Sequence, residues 1–293
     1  MGHRTMSETV PLRLLGVGPQ RSGTTWLDTH LRRHPALALP AHVKETFFFD
    51  RHWARGLDDY RRHFPPEAES HASGVGWAEV APTLFDVPEA PGRVSGVAPG
   101  VRAVILLRDP VERAVSLYRH HAARGRVGAD LWEAASAFPS ILTAGDYAEH
   151  VERWIGALGR ERVYVALLQD VAATPDATLR ALTDWAGLAP LAPSPEAGRR
   201  VNAGGGTRFP ALARVAAGAV AALHAARLHR VVAAGKRLGL NRVYRGGEAP
   251  EVSAGVRQRL ADRYAPHVAY VERLLQRETG WSCTASPGGS PEA

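Results

Sequence analysis

The chain has one cysteine, Cys283, among 293 residues. A single thiol closes no intramolecular disulfide and builds no cysteine-based metal knuckle. Lysine is almost absent: Lys44 and Lys236 are the only two, so nearly all of the 36 basic side chains are arginine. Long hydrophobic runs are missing as well. The longest apolar stretch, residues 210–223, is broken by Arg214 and falls short of the ~20 residues that cross a bilayer. The first residues carry no charged-then-apolar leader pattern. These absences predict a soluble, cytoplasmic chain without a transmembrane segment.

What is present builds a core. Hydrophobic residues make up 45% of the chain and the formal net charge is +7. That length suits one large α/β domain. Arginine forks fit phosphate, sulfate and carboxylate better than lysine does, so the cations suit a polyanionic ligand. They are spread along the chain, and a generally arginine-rich composition accounts for them equally well.

The most informative stretch is Gly18-Pro19-Gln20-Arg21-Ser22-Gly23-Thr24-Thr25. Leu12, Leu14, Leu15 and Val17 precede it as an apolar strand, and Trp26, Leu27 and Leu31 follow at helical spacing until Pro35. A strand, a turn with glycines at both ends and a helix starting inside the turn hold a phosphate, because unpaired backbone N–H groups and the helix dipole converge on one anion. Gly18 and Gly23 have Walker spacing, but Thr24 stands where an ATPase carries lysine, and the fixed cation is Arg21. The loop argues for a phosphoanhydride other than ATP.

Residues 1–11 read as a flexible arm. Three aromatics in Lys44-Glu45-Thr46-Phe47-Phe48-Phe49-Asp50 predict a buried segment, and Trp77 to Pro82 a short strand running into a loop. Val101, Val104, Ile105, Leu106 and Leu107 mark a central strand. It ends on Arg108-Asp109-Pro110-Val111-Glu112, where Asp109 as N-cap and Pro110 at the first helical position start a helix. A helix near Tyr147 to Leu158, a strand over 162–168 and a helix over 175–186 closed by Gly187 follow. This alternation predicts an α/β three-layer sandwich of the phosphate-loop NTPase type, with a mostly parallel central sheet and a helical C-terminal part. Residues 12–283 are read as a single domain in which 190–250 form a loop and helical lid-like insertion. Pro266 is expected to kink or divide the last helix, and 284–293 to be a disordered tail.

Arg108 and Ser116 lie in Arg-Asp-Pro-x-x-Arg-x-x-Ser, where a strand-end guanidinium and a hydroxyl two turns into the helix are placed to clamp a phosphate together. Asp109 has two readings, a helix cap or a magnesium ligand of a Walker B strand. His30 and His34 stand at i and i+4, but no glutamate completes a zincin pattern.

The loop 19–26, the segment 44–50 and Arg108-Asp109-Pro110 through Arg113 and Ser116 together resemble the sulfotransferases that use 3'-phosphoadenosine 5'-phosphosulfate (PAPS). The likeness is strongest to the heparan-sulfate-type carbohydrate sulfotransferases and their bacterial relatives. It continues through Glu79-Val80-Ala81-Pro82, the strand and helix of 163–188 and the closing Gly280-Trp281.

The resemblance implies that Gln20, Arg21, Ser22, Gly23, Thr24, Thr25 and Trp26 bind the 5'-phosphosulfate. Arg108 and Ser116 would hold the 3'-phosphate, and the glycine-rich loop ending at Arg208 would close over the donor. Arg21 stands where the heparan-type enzymes usually have lysine; a guanidinium donates no proton near neutrality but stabilises a leaving phosphate. Glu45 matches the family's general base, and a desolvated carboxylate beside aromatics suits that task. His42, His120 and His121 are reserves for the same role. Lys44 and Glu79 are expected to contact the acceptor. Val80 stands where some relatives have lysine, so acceptor recognition is expected to differ from theirs.

The resulting expectation is a PAPS-dependent sulfotransferase acting on a hydroxyl, or an amine, of a carbohydrate, lipid or natural product. Adenosine 3',5'-bisphosphate would be the product, and neither a metal nor nucleic acid is required. Two other classes stay open. One is a nucleotide or small-molecule kinase with Asp109 on magnesium; the other is a non-enzymatic module that binds anionic polymers through the arginines after Arg208.

Overall fold

The computed structural model describes residues 9–66, 69, 74–191, 206–207, 219, 245–247 and 250–283. They fall into two compact units, one holding the chain up to Leu107 and again from Val151, the other holding Arg108–His150 and the C-terminal helix.

The first unit is built on a parallel sheet of β1 (Leu12–Gly16), β2 (Leu37–Ala38), β3 (Gly76–Val80), β4 (Arg102–Leu107) and β5 (Val163–Leu167), in the order β2-β3-β1-β4-β5. Every residue of β4 after Arg102 is buried, as the continuous apolar run of a strand covered on both faces requires. The unit also holds α1 (Thr24–Leu31), which packs on the sheet, together with α2 (Leu57–Arg61) and α3 (Ala90–Val97). Leu27 and Leu31 of α1 join Leu14, Val80, Val104 and Leu106 in one cluster, each fully buried leucine contributing roughly 1.5–3 kcal/mol.

The second unit contains α4 (Pro110–Ala122), α5 (Leu131–Ala137) and α6 (Ser140–Thr143). A further helix, α7 (Tyr147–Leu158), then leads back into the first unit, where α8 (Leu168–Ala173) and α9 (Pro175–Ala186) follow β5. Gly187 closes α9 in the left-handed conformation, at the boundary read from the sequence.

The strands β6 (Gly206–Thr207) and β7 (Arg245–Gly247) pair antiparallel, and most of the expected 190–250 insertion, like the expected arm up to residue 8 and the tail from 284, lies outside the described residues.

The last helix, α10 (Ala254–Leu275), belongs to the second unit and runs unbroken through Pro266, so the expected division does not occur. Proline in a helix interior costs about 3 kcal/mol. Leu260, Tyr264, Val268 and Val271 present one continuous buried stripe that offsets it.

The sheet also fixes where chemistry can gather. Neighbouring parallel strands end at one edge, where β1 and β2 run into non-helical segments and β3 into the short 3-10 helix Pro82–Leu84.

Candidate active site

The segment after β1 turns sharply before α1. Gly18 leaves no room for a side chain, since a Cβ there would lie 2.4 Å from the backbone nitrogen of Leu106 and 2.7 Å from its oxygen. Gly23 is left-handed at φ 91, and so is Arg21 at φ 74, a conformation that costs a non-glycine residue about 1–2 kcal/mol. α1 begins at Thr24 without a side-chain cap, which leaves donors of its first turn for another acceptor. Ser22 is 0% exposed, yet its hydroxyl finds no hydrogen-bond partner among the described residues. A buried orphan hydroxyl beside an uncapped helix start suits an anion that supplies the missing acceptors.

The segment after β2 delivers a lysine and a carboxylate. Lys44 Nζ donates to Thr24 Oγ1 at 3.3 Å, tying residues 44–46 to the first residue of α1. Burial pushes the Lys44 ammonium down, opposed by Glu45 and Asp28. Burial pushes the Glu45 carboxyl up to about 7; Asp50 adds to the rise, while Lys44, Arg51 and a hydrogen bond from Thr83 work against it. That bond, Thr83 Oγ1 to Glu45 Oε2, measures 3.4 Å and comes from the segment after β3. A carboxylate titrating near neutrality is matched to general-base work.

Glu79, expected on the acceptor side, lies elsewhere. It is 0% exposed on β3, where Oε1 accepts from the Thr46 backbone N–H at 2.6 Å and Oε2 from the Tyr60 hydroxyl at 3.1 Å. Burial raises its carboxyl to about 7, with Glu45 adding to the rise and the Thr46 and Tyr60 bonds opposing it. A side chain held this way has no surface for an acceptor, so the structure corrects that expectation.

In the second unit, Arg108 is partly buried and forms an ion pair of 3.6 Å with Glu112, which also pairs with Arg257. Its backbone carbonyl accepts from Tyr147 Oη at 2.7 Å. Ser116 is half-buried on α4. Asp109 Oδ1 accepts from the backbone N–H groups of Val111 and Glu112, and Oδ2 from Ser282. Both oxygens serve helix capping and the C-terminal segment, which supports the cap reading over the magnesium reading.

Residues 12–196 match the family described as Sulfotransferase domain, which is more than half of the chain. The chain belongs to the sulfotransferase family. Its similar relatives include the bifunctional heparan sulfate N-deacetylase/N-sulfotransferase 1 of Homo sapiens, 31% identical over 172 residues, covering 52% of this sulfotransferase and 19% of that protein. The bifunctional heparan sulfate N-deacetylase/N-sulfotransferase of Drosophila melanogaster is 28% identical over 211 residues, covering 61% of this chain and 20% of its own length. The chain thus spans about a fifth of these relatives. A crystal structure of a sulfotransferase from Alicyclobacillus acidocaldarius shares the fold, with a TM-score of 0.60 at 20% identity over 91% of this chain and 96% of that one.

Other expected site residues of the sulfotransferase have structural places. The ring of Trp26, grouped above with the donor-binding loop, is 6% exposed in the core and lies 4.6 Å from the His30 ring, so its side chain packs and does not face a ligand. His30 Nδ1 engages the carbonyl of Trp26, and His34 engages Ala189 and Ala36. His121 stacks on Phe138 at 4.1 Å, and burial followed by Arg126 and Arg124 lowers its imidazole to about 4. His42 is exposed, and His120 engages Arg124. Arg208 lies outside the described residues. Thr46, Tyr60 and Thr83 were not singled out from the sequence, and only the nearness of Thr46 to Glu45 and of Thr83 to Glu79 would have flagged two of them.

The tight approach of Gly18 makes one consequence direct. Gly18→Ala is expected to destabilise the fold by about 1–3 kcal/mol, because the contact is with backbone that cannot rotate away. Thermal melting checks this, and an unchanged midpoint would mean the loop can lift off β4.

Proposed function

We propose that this sulfotransferase moves a sulfuryl group from PAPS to a hydroxyl, or a neutral amine, of a carbohydrate, lipid or natural-product acceptor. The observation that carries the proposal is Glu45, a carboxyl raised to about 7, in a segment that Lys44 ties to the start of a phosphate-loop helix. Glu45 takes the acceptor proton as the acceptor atom bonds to sulfur. The bond from sulfur to the 5'-phosphate oxygen breaks in line, and adenosine 3',5'-bisphosphate leaves with the electron pair. Arg21 and the backbone amides of residues 20–25 stabilise the charge that develops on the transferring group and the leaving phosphate. Ser22 offers its unpartnered hydroxyl to the same anion. Arg108 and Ser116 are assigned the 3'-phosphate, and Arg208 the closing contact over the donor. The heparan sulfate named for the relatives supports a carbohydrate acceptor.

A transfer assay with labelled PAPS over sugars, amino sugars, lipids and phenols tests this. It is paired with titrations of adenosine 3',5'-bisphosphate and ATP, each with and without magnesium. Label transfer and a preference for the bisphosphate are expected. Magnesium-dependent ATP binding would favour a kinase instead. Polymer binding that weakens steeply with salt, without any transfer, would favour the non-enzymatic module.

A further inference from the structure

Glu79 is a carboxylate placed where β3 otherwise carries Trp77, Ala78 and Val80, all buried. Removing a carboxylate from water costs several kcal/mol unless its lone pairs are met, so its partners identify what the burial maintains. Those partners are the backbone N–H of Thr46, 33 residues away in sequence, and the hydroxyl of Tyr60, 19 residues away. Thr46 directly follows Glu45 and precedes Phe47, whose left-handed φ of 54 turns the chain into the π-helical turn Phe48–His52. At such a break no sheet or helix ladder supplies an acceptor for the Thr46 N–H. Past Glu79 the chain continues through Val80, Ala81 and Pro82 to Thr83, which donates to the Glu45 carboxylate itself. The end of β3 therefore grips the Glu45 segment twice, by its backbone through Glu79 and by its side chain through Thr83.

We propose that Glu79 is a positioning residue for the transfer reaction, fixing the backbone beside Glu45 so that its carboxylate meets the acceptor proton. The inference rests on the sulfuryl-transfer reading above. The charged and titratable groups around Glu45 are Lys44, Asp50, Arg51 and Glu79, with the Thr83 hydroxyl; those around Glu79 are Tyr60 and Glu45, with Thr46. Emptying the Glu79 site loosens the packed environment of Glu45, whereas an amide in its place still accepts from Thr46.

The test measures kcat, acceptor KM and rate against pH from 5 to 9 in the full chain and its Glu79→Gln, Glu79→Ala and Tyr60→Phe variants, with calorimetry of adenosine 3',5'-bisphosphate. Glu79→Ala is expected to lose about 100-fold in kcat, as a misplaced catalytic group does. Its bisphosphate affinity should stay unchanged, and the acid limb of its profile should move below that of the wild type toward the ordinary carboxylate range. Glu79→Gln is expected to rescue kcat to within about tenfold, with its acid limb still near 7. Tyr60→Phe should lose several-fold in kcat at constant KM.

Wild-type rates and an unmoved acid limb in Glu79→Ala overturn the proposal. So does a Glu79→Gln variant as inactive as the alanine form, which would make the carboxylate itself chemical. If Glu79→Ala does not fold, the glutamine and phenylalanine variants decide by the same criteria. A wild type that transfers nothing overturns the functional reading, and the role of Glu79 with it. A wild type that transfers while the variants depart from this pattern overturns the role of Glu79 alone.

Discussion

Glu45→Gln is expected to lower turnover by about 10²–10⁴-fold while leaving the binding of adenosine 3',5'-bisphosphate nearly intact. The amide keeps the size of the side chain and can still accept from Thr83, but it cannot take a proton. In the proposed reaction the base is competent only when ionised, so wild-type kcat should rise with pH through about 7 and flatten above it. The variant should lose that limb. Stability should move the opposite way. A carboxyl raised in the folded state binds more protons there than in the unfolded chain, so its contribution is full below the unfolded value near 4 and is lost as pH climbs to about 7. Glu45→Gln should therefore be more stable than the wild type at pH 8, by roughly 3 kcal/mol, with no gain at pH 4. Joint loss of turnover, bisphosphate binding and melting temperature would instead assign Glu45 a structural role.

Local signals made the strand, turn and helix around Gly18 and Gly23 legible, because the glycines, the apolar run and the absent lysine all act over a few residues. Asp109 and Pro110 were legible for the same reason, and the structure shows the cap bonds they imply. Trp26 was open to a better reading: its helical spacing with Leu27 and Leu31 marks the buried face of α1, and that packing outweighs its place in the loop motif. Glu79 could not be read correctly from its neighbours. An acidic residue at a strand end normally faces water, and only the fold brings Thr46 and Tyr60 to it. The continuity of α10 through Pro266 likewise depends on the buried stripe formed in three dimensions, a tertiary gain that overrides local propensity.

Arg21 is where rate and stability are expected to separate most cleanly. It holds the left-handed φ of 74 in the middle of the loop, a strain that a structural role alone would have removed by glycine. A guanidinium donates no proton near neutrality, so the role proposed for Arg21 is electrostatic stabilisation of the sulfuryl group and leaving phosphate, not proton transfer. Arg21→Ala should lose about 10²–10³-fold in kcat. Arg21→Gly should lose as much without a fall in melting temperature, since relief of about 1–2 kcal/mol of backbone strain offsets the 0.5–1 kcal/mol entropic cost of glycine. Arg21→Lys should remain within about tenfold of the wild type, because a point charge at the same place supplies most of the field. A lysine variant as slow as alanine would show that two parallel hydrogen bonds from the fork are needed. Rapid-quench transfer rates, with melting curves on the same preparations, distinguish these outcomes. If Arg21→Ala retained the wild-type rate, the backbone amides and the helix start alone would be carrying the charge.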